Sequence, residues 1–216
     1  MSLPRAPHAV AFDLDGTLID SEALVRDAYV VACRAFRVEM SDAQFLSLVG
    51  LHRDANDARI RGFFGEDFPL EQFYASTRAH LEGRVAPLKA GAGELLDTLD
   101  GLGLPFALAT SSGRPWVERH FTAHRLTSRF NAVIARGDYV NGKPDPEPYL
   151  KASEALGAAP AHVLALEDSY PGVRAAHAAG CMTVMAPDLL APNDEMRAKT
   201  VHIVETLHEV TALLRI

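Results

Sequence analysis

The period of the hydrophobic positions changes along the chain. Residues 8–13 open with an apolar, β-prone run (Val10, Ala11, Phe12) that stops at Asp13 and predicts a strand. Roughly seventy residues follow with no strand pattern. Within them Leu24, Ala28, Val31, Ala32 and Ala35 recur at helical spacing, as do Phe45, Leu48 and Val49, then Ile60, Phe63 and Phe64. Gly65, Asp67 and Pro69 punctuate this region, and a further helix is predicted over about 70–84. From Pro87 onward the pattern alternates. A helix is predicted over 94–102 and an apolar strand over 105–109, with more strands near 131–135, 162–166, 182–186 and 201–204. A closing helix over 206–214 is expected to pack on the core. Asp145 with Pro146 and Gly157, and Ser169 with Pro171 and Gly180, read as start and stop signals of two intervening helices.

Alternation of this kind predicts βαβ units. The expected class is α/β: a doubly wound, mainly parallel sheet built from residues 1–19 and 87–216, with a helical insertion over 20–86. Segments near 18–21 and 84–91 would be the two hinges.

Composition narrows the function classes. The chain has 216 residues, 48% hydrophobic and 23% charged, which suits a soluble globular protein and excludes general disorder. A net charge of −7 opposes a nucleic-acid partner, and an anionic small substrate would need local cations to offset that field. No apolar run reaches the length of a membrane span, and the amino terminus carries no long apolar segment. Cys33 and Cys181 lie far apart, without metal-ligand spacing, and read as small buried apolar residues in a reducing, cytoplasmic setting. A monomer is expected.

Four clusters at strand ends carry chemistry. The first is Asp13-Leu14-Asp15-Gly16-Thr17, where a glycine turns the backbone at once and leaves both acids near one exposed tip. Two such charges repel unless a cation or a shared proton intervenes. The second is Thr110, Ser111 and Ser112, hydroxyls at a strand-to-helix junction suited to phosphate oxygens. The third is Lys143, set between Gly142 and Pro144. Residues 137–144 match G-x-x-x-x-G-K, but Pro144 stands where a magnesium-binding serine or threonine belongs, which rejects a nucleotide phosphate loop. The fourth is Glu167-Asp168, again at the end of an apolar run. Singly, each reads as an acidic turn, a helix cap or a loop lysine. Together, in a doubly wound sheet, they meet at one edge as a magnesium-type oxygen site beside a phosphate pocket.

In the motifs DLDGT (13–17), Thr110, Lys143 of GKP and Glu167-Asp168, the chain resembles the haloacid dehalogenase superfamily of phosphohydrolases over essentially its whole length. The resemblance implies a Rossmann-like core with an α-helical cap, the cap being the insertion. It implies that Asp13 is the nucleophile and forms an aspartyl-phosphate, and that Asp15 protonates the leaving alcohol and then activates water. Thr110 would bond the transferring group and Lys143 balance its charge. Mg²⁺ would be held by the Asp13 side chain, the Asp15 carbonyl and Asp168, with Glu167 direct or one layer out. Thr17, Ser111, Ser112, Arg114 and the cap residue Arg53 are candidates for substrate contact; Arg53 and His52 read equally as exposed helix surface.

An aspartate at position 15 favours phosphoryl transfer over dehalogenation, since carbon–halogen cleavage needs no protonated leaving group. The beta-phosphoglucomutases share the layout, and Arg53 in GLHRD looks like their cap arginine, but their cap histidine aligns with Val25 here. The expected activity is therefore hydrolysis of a small phosphorylated metabolite, a sugar phosphate being favoured, with a mutase as the alternative. A receiver-type signalling module would place its acid pair before the phosphoacceptor and lacks the insertion. A non-catalytic phosphometabolite binder has no feature in its favour, because every catalytic position is filled.

Overall fold

The strand β1 (Ala9–Phe12) is buried along its whole length, so both faces of its sheet must be covered. In the computed structural model, which describes residues 2–51 and 53–214, four helices follow it: α1 (Glu22–Ala35), α2 (Asp42–Leu46), α3 (Arg53–Phe64) and α4 (Leu70–Leu81). Strands and helices then alternate through α5 (Ala92–Leu102), β2 (Phe106–Gly113), α6 (Arg114–Ala123), β3 (Ala132–Arg136) and α7 (Glu147–Ala155). The chain closes with β4 (Val163–Glu167), α8 (Tyr170–Ala178), β5 (Met182–Met185), α9 (Asp194–Lys199), β6 (His202–Ile203) and α10 (Leu207–Leu214). The six strands form one parallel sheet in the order β3-β2-β1-β4-β5-β6, the doubly wound, Rossmann-like arrangement expected from the alternation. Strand order reverses between β1 and β4, and a crevice opens beyond their carboxyl ends.

Period-two alternation assigns the two faces. Val10, Phe12, Phe106, Leu108, Leu164 and Leu166 join one cluster with Leu95, Val117 and Val210 from α5, α6 and α10. Ala9, Ala11, Ala107, Ala109 and Ala165 face the other way, against α7 and α8. Small side chains on that face let the helices approach closely and leave room for the fully buried ring of Tyr149. Helices α1–α4 bury a separate cluster around Ala32, Leu48, Ile60, Leu70 and Phe73. The two connections to these helices lie side by side: Asp20 N–H donates to the Pro87 carbonyl (2.8 Å) and Lys89 N–H to that of Leu18 (3.0 Å).

Some local expectations shift. β2 runs through Thr110–Ser112 to Gly113, because pairing with β3 resumes past an irregularity after Ala109. The Phe45–Val49 spacing yields only five helical residues, started by a Ser41–Gln44 capping box, with Leu48 and Val49 in turns beyond it. Pro146, not Asp145, is the cap of α7; the Asp145 carboxylate accepts the Glu147 N–H (3.0 Å) instead. Ser169 caps α8 as expected, accepting from Gly172 N–H. Both cysteines are buried and free. His52 lies outside the described residues. Among the described residues no helix is long and apolar enough to cross a membrane.

One contact at the return connection is pH-sensitive. His120 on α6 is fully buried, its Nδ1–H donating to the Trp116 carbonyl (2.9 Å) while Nε2 accepts the Ala86 N–H (3.0 Å). An imidazolium has no acceptor to offer Ala86. Burial depresses the His120 pKa, against the opposing pull of the Trp116 carbonyl and Asp15. The unfolded chain therefore takes up a proton near pH 6.5 that the folded chain refuses, so this contribution is complete above about 6.5 and is lost as pH falls below it. His120→Gln should flatten the decline of urea-unfolding stability between about pH 7 and 5, relative to the parent. Parallel profiles would show that His120 does not titrate on unfolding.

Candidate active site

Two glycines shape the crevice at the β1/β4 switch point. Gly16 sits at φ +80°, and a Cβ there would lie 2.4 Å from Asp168 Oδ2. At Gly172, in the first turn of α8, a Cβ would lie 1.9 Å from the Glu167 carboxyl group. Only bare backbone lets Asp168 pack against the turn after β1 and Glu167, at the end of β4, against the first turn of α8.

The polar centre is buried. Asp13 is 7% exposed, which corrects the expectation of an exposed tip: β1 delivers its carboxylate under the loops instead of into solvent. Lys143, expected on a loop, is 1% exposed, and its Nζ donates to Asp13 Oδ1 and to Glu167 Oε1 (2.5 Å). Both Glu167 oxygens are engaged: Oε1 also accepts from Tyr149 OH (2.6 Å), and Oε2 accepts from Ser169 Oγ (3.1 Å). Asp168 takes a long bond from Thr17 Oγ1 (3.4 Å). Oxygens of Asp13, Glu167 and Asp168 all lie within 4.8 Å of one another.

Burial raises the Asp13 pKa, with Lys143 opposing and Glu167 adding to the rise. Burial likewise lifts Asp168 well above the carboxylate range, helped by Asp13 and Glu167. For Lys143, burial acts downward, but the Asp13 and Glu167 charges carry it above its ordinary value. Three buried carboxylates face one ammonium; burial resists their ionisation, and when all three are ionised they leave two charges beyond Lys143, which one divalent cation would match. The donors are all hard oxygens, the set that suits magnesium. These residues fit such an ion. A second acidic group, Glu22, Asp168 and Asp188, shares Asp168; burial and then Asp188 push Glu22 up to about 7.

Asp15 differs from its neighbours. Its side chain accepts from Ser21 Oγ (2.6 Å) and Trp116 Nε1 (2.9 Å) on Oδ1 and from Ser112 Oγ (2.5 Å) on Oδ2. With Asp13, Thr110, Ser111, Ser112 and Asp168 it lines a cavity of about 390 Å³. The opposite wall comes from α1–α4 and their loops, including Val25, Tyr29, Leu51, Arg53 and Tyr74.

Of the candidates for substrate contact, Ser111, Ser112 and Arg53 line this cavity and two do not. Thr17 is buried beneath Asp168. Arg114 points to Asp138 (2.8 Å), while Arg119 and Arg136 reach the cavity in its place. Arg53 stacks on Tyr74 (3.6 Å from the ring centroid) and pairs with Asp57 (2.8 Å) and Glu71 (2.9 Å), so it is a held cavity residue and not free surface. Sequence reading missed Tyr149, Ser169 and Trp116. Trp116 carried one signal, as the only tryptophan in the chain.

A family model described as haloacid dehalogenase-like hydrolase matches residues 10–186. A phosphoglycolate phosphatase of Escherichia coli O157:H7 is 31% identical over 201 residues, covering 82% of this chain and 80% of that protein. A validoxylamine A 7'-phosphate phosphatase of Streptomyces hygroscopicus subsp. limoneus is 31% identical over 210 residues, 94% of this chain and 91% of its own. The crystal structure of CbbY from Rhodobacter sphaeroides in complex with phosphate superposes with a TM-score of 0.82 at 25% identity, covering 97% of this chain and 100% of that one.

Proposed function

This chain belongs to the haloacid dehalogenase-like hydrolases, as a phosphoric monoester hydrolase, and we propose that it cleaves a small phosphorylated metabolite, a sugar phosphate being favoured, through an aspartyl-phosphate on Asp13. The observation that carries this reading is the buried Asp13–Lys143–Glu167–Asp168 centre opening into the cavity lined by Asp15.

Asp13 attacks phosphorus, forming a carboxyl–phosphoryl bond as the ester P–O bond breaks. Asp15 gives its proton to the departing alcohol oxygen. Asp15 then takes a proton from water, the oxygen bonds to phosphorus, and hydrogen phosphate leaves with the Asp13 carboxylate restored. Lys143 holds Asp13 in line and offsets charge on the transferring group, while Thr110 and Ser111 donate to its oxygens. Glu167, with both oxygens occupied, orients Lys143. Asp13, Asp168 and the Asp15 carbonyl would hold Mg²⁺, which supplies positive charge against the anionic repulsion between nucleophile and substrate. Residues 20–86 serve as a cap that closes over the reacting group and excludes water. The wall residues Val25, Tyr29, Tyr74 and Arg53 then select the alcohol portion.

Purified protein assayed on sugar phosphates and phosphoglycolate should release inorganic phosphate with Mg²⁺, and lose at least about 10²-fold of that rate in excess chelator. Metal-independent release would overturn the magnesium assignment. Conversion of a sugar 1-phosphate to the 6-phosphate without phosphate release would overturn hydrolysis.

A further inference from the structure

We propose that Trp116 is a positioning residue of this reaction, its indole N–H holding the Asp15 carboxylate in one orientation through both proton transfers; the role, though not the contact, rests on the reading of Asp15 above. Three donors converge on Asp15. Two are hydroxyls, Ser21 and Ser112, which donate or accept and can turn around when a proton arrives on the carboxyl group. The indole nitrogen only donates. Of the three donors among the described residues, it is the one whose role is the same before and after each transfer.

The ring is itself held. Trp116 is the third residue of α6 and packs against the main core. Its carbonyl accepts from His120, whose ring lies 4.2 Å from its own, centroid to centroid. Residues 116, 119, 120 and 124 share one side of α6 and its end. Arg119 donates to the Leu81 carbonyl (2.7 Å), His120 accepts from Ala86 N–H, and His124 Nε2 bonds the Ala86 carbonyl (2.7 Å). One helix thus anchors both the return from α4 and the orientation of Asp15. A carboxyl group free to rotate would meet the leaving oxygen in only part of its range, and misplacement of this size weakens general acid catalysis.

Trp116→Phe keeps an aromatic ring in the same place and removes the N–H together with the pyrrole half of the indole, so lost packing is separated from the lost hydrogen bond by comparing two leaving groups. kcat/KM covers steps through departure of the alcohol, so it includes proton donation and excludes the later hydrolysis of the phosphoryl-enzyme. For an alkyl phosphate it should fall about tenfold or more. For p-nitrophenyl phosphate, whose phenolate leaves without a proton, it should fall at least threefold less, with the melting temperature within a few degrees of the parent. Equal losses on both esters, or none on either, would overturn the positioning role. A second arm does not need turnover. Trp116 is the sole tryptophan, so Asp15→Ala should shift the intrinsic emission maximum of the folded protein; an unchanged spectrum would overturn the contact. Failure of the parent on every phosphate ester, with that shift present, would sink the phosphatase reading and leave the contact standing.

Discussion

Asp13→Asn should reduce turnover by about 10⁴-fold or more while leaving the fold in place. The substitution is close to isosteric and keeps an acceptor for Lys143, but an amide oxygen is too weak a nucleophile to open a phosphate ester. The size of the expected effect comes from the division of labour at this centre. Lys143 and the Asp13–Asp168 oxygens shape the charge, but no neighbouring side chain can take over the attack. Glu167 is held by Lys143, Tyr149 and Ser169, and Asp15 is turned toward Ser21, Ser112 and Trp116. Acid quench of the parent during turnover of a ³²P-labelled ester should trap label on protein, and the variant should trap none. Turnover in Asp13→Asn within tenfold of the parent would refute the nucleophile assignment.

Sequence carried the frame of this site further than its interior. Asp13, Glu167 and Asp168 were legible as strand-end residues, because an apolar run that stops at a polar residue marks where a parallel strand meets the crevice, whereas Thr110 lies inside β2, which continues to Gly113. Helices α1 and α3 were legible from spacing, α4 from the punctuation ahead of it, and α2 only as a five-residue turn of helix displaced from the spacing of Phe45, Leu48 and Val49. Burial was not. Nothing in N-G-K-P distinguishes a loop lysine from one that is 1% exposed, since the acids that neutralise it lie 130 and 24 residues away. The placement of Arg114 was hidden for a related reason: a residue just past a strand end is placed by the first turn of the next helix, and that turn sends it to Asp138. Arg136 reaches the cavity from the neighbouring strand, a position that depends on sheet order rather than local pattern. Tyr149 and Trp116 arrive from helices whose approach is set by the small alanine face of the sheet and by packing on its large face. Their polar tips meet Glu167 and Asp15 across 18 and 101 residues.

Lys143→Met should abolish activity and destabilise the metal-free protein together, which separates it from the other site variants. Methionine fills similar volume without the charge, so Asp13 and Glu167 lose the cation that they share among the described residues. Stranding buried carboxylates in this way costs about 3–5 kcal/mol, or a fall in melting temperature on the order of 10 °C for a chain of this size. The loss traces to stranded charge rather than to lost packing, and a second substitution tells these apart. Glu167→Gln in the Lys143→Met background replaces one stranded carboxylate with an amide that Tyr149 and Ser169 can still engage. The double variant should recover about half of the lost melting temperature and remain inactive, so stability and catalysis part company at the same lysine. If the double variant melts no higher than Lys143→Met alone, the ammonium is not what stabilises these acids. The charge balance drawn for this centre, two uncompensated negatives inviting one divalent cation, would then have to be abandoned.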